Sequence, residues 1–550
     1  MKKTLAPLLA GLMLALTLAG CGAPAPGPSG GSGSSTGAPG GTDIINIVMF
    51  GSPDGFMPYL GSGGMYTTTA ANGLIYEALT KLDGDFNVQP CLAADWTVSE
   101  DSLTYTFNLR RDVKWQDGTP FTAGDVLFTF KMILDPRWTG TGSPYLMSVK
   151  GAEAYKNGQA GDVEGLAAPD DYTVVVTMEQ PYAPFLECMQ GSLPILPAHM
   201  FEGLDIADYA AAPIAKAPMG TGPCVFGRYV TDQYVEYDMN RDYYGGTPKF
   251  DKLILKIMNS DLALLAFEKG ELDITTNVAM GTMPAADYDL LMDMDTVKVV
   301  TFETSGIQFM TINYAKAELA DPRFRQAVSY AIDRETMAAQ LLGTLGTPAY
   351  TSVPPFSPYY KGDTAPLKYD PDKARALLAD LGWDQSRVLT LQVPRGEVVR
   401  ERMAPIVQQY LAAAGIQVEL QFGEFASILP SVSDKSYDLA FFGTGSTMID
   451  PDAAYYSYFY SGQTRDAGGW NMGGYQNADM DRLLDAGRAT ADTTRRKELY
   501  GEVQDIEAGD PNFINFYFEK ALAVVSNRVT GVTPSASGFA WDILNWEVAA

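Results

Sequence analysis

The 550-residue chain contains one histidine, His199. Ser-His-Asp and Cys-His nucleophile systems need an imidazole beside a hydroxyl or thiol, with a carboxylate to orient it. His199 lies in LPILPAHMFEG, among prolines and an aromatic residue, with no nucleophile motif near it. A packed or capping role is expected of it. None of HExxH, GxSxG and GxxxxGK[ST] occurs, which removes the zinc-protease, hydrolase and P-loop chemistries those spacings serve. The histidine count alone excludes a metal site built from several imidazoles. The cysteines are Cys21, Cys91, Cys188 and Cys224, and no CxxC spacing joins them, so no zinc or redox motif is present. No metal and no cofactor is expected. Cys188 with Cys224 is a conceivable disulfide in an oxidising compartment, but it leaves one cysteine over, and three buried thiols are the preferred expectation. Among 66 Asp and Glu a catalytic acid pair has room to hide. An exported hydrolase therefore stays open as a distant alternative to a non-enzyme.

The first residues address the chain. Lys2 and Lys3 precede an uncharged apolar run, Leu5 to Leu18, and Leu18-Ala19-Gly20-Cys21 follows. A basic start, an apolar stretch and small residues at a cut site make a secretory signal, over residues 1–20. The run is short for a membrane span, which takes about 20 apolar residues. A cysteine directly after the small residues fits the bacterial lipobox, which implies cleavage before Cys21 and acylation of its thiol. Residues 21–42 are nearly all Gly, Ser, Pro, Ala and Thr, a flexible tether that reaches roughly 70 Å at about 3.3 Å per residue. A net charge of −27 argues against nucleic acid and against a polybasic membrane patch. The expected place is the outer face of the cytoplasmic membrane, held by lipid alone.

About 500 residues remain, more than one core accommodates. Ile44–Phe50 reads as a strand and Met65–Leu79 as a helix. In SLTYTFNLRRDVKW, Leu103, Tyr105, Phe107 and Leu109 alternate with polar residues, as a half-buried strand requires. Asp117-Gly118 makes a turn. Thr122–Leu134 reads as a helix stopped by Asp135-Pro136, and residues 172–178 as a strand. Further strands are expected at Leu253–Ile257, 416–422, 438–443, 511–519 and 521–526. Further helices are expected at Asp261–Lys269, Pro322–Leu342, from Asp370-Pro371 to Leu381 with Gly382 as C-cap, and at Glu401–Ala414 capped by Gly415. The order of helix, glycine and β-branched strand is an α/β unit.

Four stretches carry a resemblance: CLAADWTVSEDSLTYTFNLRRDVKWQDGTPFTAGDVLFTFK; MGTGPCVFGRYV with NRDYYGGTPKFDKLILKIMNSDLALLAFEKGELDI; DPRFRQAVSYAIDRETM; and DPDAAYYSYFYSG with NMGGYQNADMDRLL. From about residue 44 onward the chain resembles the large solute-binding proteins of oligopeptide, dipeptide and nickel ABC importers, solute-binding protein family 5. The resemblance implies an α/β, two-lobed, three-domain periplasmic-binding-protein-like fold (class II, cluster C) with a discontinuous first lobe. Lobe 1 would comprise 43–83, 186–305 and 512–550, domain II 84–185, and lobe 2 306–511. The crossings fall near Val300–Asn313 and Pro511–Phe518. It further implies a monomer that captures a solute by lobe closure and hands it to a permease and ATPase complex. An oligopeptide or dipeptide is the first expectation; a sugar, opine-like compound or metal chelate is the alternative.

The same resemblance points to site residues. Peptide-binding relatives pair the ligand amine with an aspartate a few residues before the Asp-Pro of the fourth stretch; that position holds Thr447, which favours the alternative ligands. Asp450 is a substitute for it, or a helix cap. Arg395, with Arg400 next, matches an arginine that relatives use for the ligand carboxylate, a group a guanidinium grips with two hydrogen bonds. Gly443, Thr444 and Gly445 would edge the cleft, with Trp470, Asn471 and Tyr66 as further wall candidates.

Overall fold

A computed structural model describes residues 43–60, 70–275, 283–396, 398–445, 449–465 and 469–549. They belong to one compact unit, Thr42–Ala550. The expected signal segment and tether, Cys21, Tyr66 and Thr447 lie outside the described residues.

Three sheets organise the chain. A seven-stranded sheet runs, edge to edge, through Val297–Phe302, Ala521–Ser526, Ile274–Thr275, Ile44–Met49, Lys252–Ile257, Tyr234–Met239 and Cys224–Val230. A six-stranded sheet runs through Gly346–Pro348, Phe513–Glu519, Ile307–Ile312, Leu439–Thr444, Val388–Pro394 and Gln417–Gly423. Between them in sequence, Ala93–Val98, Thr104–Leu109, Thr173–Thr177 and Leu166–Asp170 form an antiparallel four-stranded sheet. Tyr105, Phe107 and Leu109 are buried there while Thr104, Thr106 and Asn108 are not, as alternation predicts. The helix Ala123–Leu134 starts on a capping box between Thr122 and Asp125, which satisfies two otherwise orphaned amides.

The strand Ile307–Ile312 is buried at every position, because both faces of its sheet are covered. Met310 and Ile312 pack into a core of helices; Ile307 and Phe309 pack into a second core rich in rings. The chain passes between the two large sheets twice, through 303–306 and at Lys520. The passages are adjacent: Phe302 pairs with Ala521 in one sheet and Ile307 with Phe518 in the other. Thr304 donates to the Glu519 carbonyl at 2.6 Å, and the Glu519 amide donates to Gly306 O at 2.9 Å.

Two helical expectations are corrected. Pro322–Leu342 is two helices, Pro322–Ala331 and Arg334–Leu342. Asp333 breaks the run because its carboxylate accepts from the Thr336 amide and caps the second helix. The helix expected to reach Leu79 stops by Ala71. Gly73 adopts φ +75°, and the Leu74 and Ile75 carbonyls bond the amides of Cys224 and Gly222 instead of continuing a helix.

That exchange explains the MGTGP stretch. A Cβ on Gly220 would sit 1.9 Å from the Ile75 carbonyl oxygen, and one on Gly222 would sit 2.4 Å from that of Leu74. Backbone meets backbone there, so no rotamer change relieves the clash. Gly220→Ala is expected to destabilise the protein by about 2–3 kcal/mol, read as a lower denaturation midpoint. Gly509→Ala, whose Cβ meets nothing within 4 Å, is the control that leaves the midpoint near its original value.

Candidate functional site

A cavity of about 880 Å³ lies between the segments around the four-stranded sheet and the ring-rich face of the six-stranded sheet. One wall comes from residues 140–148 and 182–188; the other comes from 305–309, 352–356, 444–445, 449–459 and Phe513. The strand Ile307–Ile312 places Phe309 against Phe513, ring centroids 4.5 Å apart. Tyr458 stands edge-on to both and stacks on Trp470 at 6.2 Å. Its hydroxyl donates to Thr444 Oγ1 at 2.8 Å, so the polar end is occupied and the ring remains. Across the cavity Phe86 meets Phe356 at 5.9 Å.

Among the described residues, the charged groups that line this wall are paired. Asp450 caps the helix Pro451–Phe459, accepting from the Asp452 amide. Both its oxygens also accept from Arg496 Nη2 at 2.5 Å, and both side chains are almost wholly buried. Burial pushes the Asp450 carboxyl up to about 6, against the opposing pull of Arg496. Asp452 accepts from Arg488 Nε at 3.0 Å and Nη2 at 2.9 Å. That guanidinium lies over the rings of Tyr456 and Tyr182.

The two walls touch through Glu187, on the helix Phe185–Ser192. Its carboxylate accepts from the Ile449 and Asp450 amides, the latter at 3.1 Å. Burial, and after it the charge of Asp450, raise Glu187 to about 7. The Ala183 amide adds a bond to Arg488 O at 3.1 Å.

Of the residues expected at the site, Thr444, Gly445, Asp450 and Trp470 line this cavity. Asp450 takes the helix-cap role rather than standing as an open partner for an amine, since its oxygens are held by Arg496. Gly443, next to last in its strand, lies against Gln308 and Arg400, where an added Cβ would lie 2.7–2.8 Å from their polar atoms. Arg400 donates to Gln308 Oε1 at 3.0 and 2.9 Å. Arg395 is exposed, packs its guanidinium over Phe422 and is not among the lining residues. Asn471 is fully buried, bonding Tyr460 O and Tyr475 O and accepting from the Gly474 and Tyr475 amides, so it builds the loop behind Trp470. The disulfide is not formed: Cys91, Cys188 and Cys224 are buried thiols. Cys188 lies by the Tyr182 hydroxyl and Cys224 by the Met239 sulfur. His199 bonds Asp117 Oδ2 at 2.9 Å and meets Trp115 edge-on, which fixes the Asp117-Gly118 turn. Glu187, Arg488 and Arg496 were missed, because no local motif marks them.

The model of bacterial extracellular solute-binding proteins, family 5 Middle, matches residues 87–466. The chain belongs to this family. It is 26% identical to the oligopeptide-binding protein AppA of Bacillus subtilis (strain 168), over all of this chain and 99% of the relative. It is 28% identical to the dipeptide-binding protein of Escherichia coli (strain K12), over 82% of this chain and 85% of that one. Among solved structures, the ABC transporter substrate binding protein CtaP of Listeria monocytogenes superposes with a TM-score of 0.80. It is 26% identical, with 92% of this chain and 100% of that chain covered. The several-sheet α/β architecture is thus that of an extracytoplasmic solute receptor, and nothing in it points to catalysis.

Proposed function

We propose that this protein is the substrate-binding component of an ABC importer, capturing a short peptide between two lobes and delivering it to a permease and ATPase complex. The observation that carries the reading is the cavity shared by two walls built around different sheets, joined at Glu187 and floored by Phe309 and Phe513. Enclosed sites between lobes are where ligands are usually held. The names of the oligopeptide- and dipeptide-binding relatives supply the peptide class. The lobes are read as 43–83 with 186–305 and 512–550, the inserted 84–185, and 306–511. Rocking about 303–306 and Lys520 would open and close them. Acylation at Cys21 and the 21–42 tether would hold a monomeric body at the outer face of the cytoplasmic membrane.

The test is thermal unfolding of the mature protein against peptides, sugars and metal chelates. A ligand at 100 times its dissociation constant adds about 2.7 kcal/mol of stability. Peptides are expected to raise the melting temperature. Trp470→Ala is expected to weaken peptide binding about tenfold or more, because it removes the ring stacked on Tyr458 at the wall. A shift confined to sugars or chelates overturns the peptide assignment.

A further inference from the structure

The turn that joins Thr80–Leu82 to Val88–Pro90 holds a residue that its geometry disfavours. The Phe86 amide donates to Asp83 O at 3.1 Å, closing a turn over Gly84 and Asp85. A hairpin of this kind takes a left-handed residue next, normally glycine; asparagine is the other residue that visits the region easily. The chain places phenylalanine there, at φ +64°. A bulky residue in that region is strained and persists only where its surroundings fix it. Here the Asp83 carboxylate accepts from the Asp85 and Asn87 amides at 3.0 and 2.9 Å and from Gln89 Nε2 at 2.9 Å. Ser535 Oγ donates to Gly84 O at 2.8 Å, and a Cβ on Gly84 would lie 2.6 Å from the Trp541 ring. So held, the Phe86 ring lies half-buried at the cavity. It meets half-buried Phe356 of the opposite wall, centroids 5.9 Å apart and planes tilted by 31°.

We infer that Phe86 is a positioning residue, a clasp whose strained turn holds its ring against Phe356 and keeps the two walls together in the ligand-free protein. The inference rests on the reading of two walls that separate and rejoin. Glycine or asparagine at this position would give a relaxed turn and no contact. Phenylalanine gives a strained turn and a contact between walls, and local rules are broken in this way where a site works. The contact lies apart from the polar joint at Glu187 and does not depend on charge. An aromatic pair at this spacing shifts an equilibrium by about two- to tenfold.

Three amides bridge the walls: Ile449 and Asp450 donate to Glu187, and Ala183 donates to Arg488 O. Their hydrogen exchange in the mature, ligand-free protein therefore reports the fraction of molecules with the walls apart. Phe86→Gly is expected to speed exchange at these three about two- to tenfold, while amides within the strand Thr104–Leu109 keep their rates. Phe86→Tyr, which keeps a ring, is expected to exchange like the unaltered protein. Phe86→Gly combined with Phe356→Ala is expected to exchange no faster than the faster of the two single variants. Phe86→Gly should also have a higher denaturation midpoint than Phe86→Ala, since both lack the ring and only glycine takes φ +64° freely. Unchanged exchange in Phe86→Gly overturns the clasp. So does equal acceleration of bridging and strand amides, which would make Phe86 an ordinary packing residue. Exchange is read without ligand, so the clasp is decided separately from the peptide titration: if no peptide binds but the bridging amides respond as expected, the receptor reading falls and the clasp stands.

Discussion

Arg496→Ala is expected to destabilise the protein by about 3–5 kcal/mol at pH 8, because it strands the buried Asp450 carboxylate without its counter-charge. In the native protein the guanidinium holds both Asp450 oxygens and bonds the Gly487 carbonyl, so it also braces the helix that follows. Burial already lifts Asp450 to about 6 with Arg496 in place. Without Arg496 the opposing pull is gone, and the carboxyl is lifted further. A carboxyl raised above its unfolded value favours the folded state at low pH, and that advantage is lost as pH rises through the folded-state value. The deficit of the variant should therefore shrink on acidification from pH 8 towards pH 5. Adding Asp450→Asn to Arg496→Ala should recover part of the loss at pH 8, since asparagine still caps a helix and carries no charge. Denaturation midpoints of the single and double variants at the two pH values check this. A deficit independent of pH, unrelieved by the asparagine, would mean that lost packing of Arg496 against Tyr359 and Tyr500, rather than charge, sets the cost.

The sequence told most where the physics is local. The alternation at Leu103–Leu109, the Asp370-Pro371 start, and the Gly382 and Gly415 stops, at φ +71° and +98°, depend on residues a few positions apart. All appear in the structure. The break at Asp333 was also local, but an apolar stripe running through it outweighed the capping signal of Asp333 and Thr336. The site was less legible because its members meet only after folding. Arg496 lies 46 positions from Asp450, and Glu187 lies 262 from Ile449. Trp470 and Asn471 are neighbours in sequence yet part company, one on the cavity wall and one tying four backbone groups behind it. Nothing in a one-dimensional pattern distinguishes those fates. The Gly220 and Gly222 requirement is of the same kind, since the clashing carbonyls belong to residues 74 and 75.

The joint between the walls predicts a pH dependence of closure. Three carboxylates, Glu187, Asp450 and Asp452, meet two guanidiniums, Arg488 and Arg496; Tyr182, Cys188 and Tyr359 complete the surroundings. Both guanidiniums are committed to the aspartates, so Glu187 is the carboxylate without one. With the walls joined it sits at about 7 instead of the ordinary 4.5, chiefly through burial. With the walls apart it would regain solvent and approach the ordinary value. Joining the walls thus takes up a proton between about pH 4.5 and 7, and the joined state is favoured on the acid side and loses that advantage as pH rises through 7. At tenfold per unit, the equilibrium would shift by on the order of a hundredfold across the window. If closure captures ligand, affinity should fall from pH 5.5 to pH 8 with one proton bound per ligand near pH 6, measurable by calorimetry in buffers of different ionisation enthalpy. Glu187→Gln keeps an acceptor for the Ile449 and Asp450 amides and drops the charge. It is expected to match the unaltered protein only at or below about pH 4.5, and to bind progressively more tightly than it as pH rises to 8. Equal pH profiles for the two proteins would place the titrating group elsewhere, with Asp450 at about 6 the next to alter. A profile rising with pH would reverse the sign and dismiss proton uptake on closing altogether.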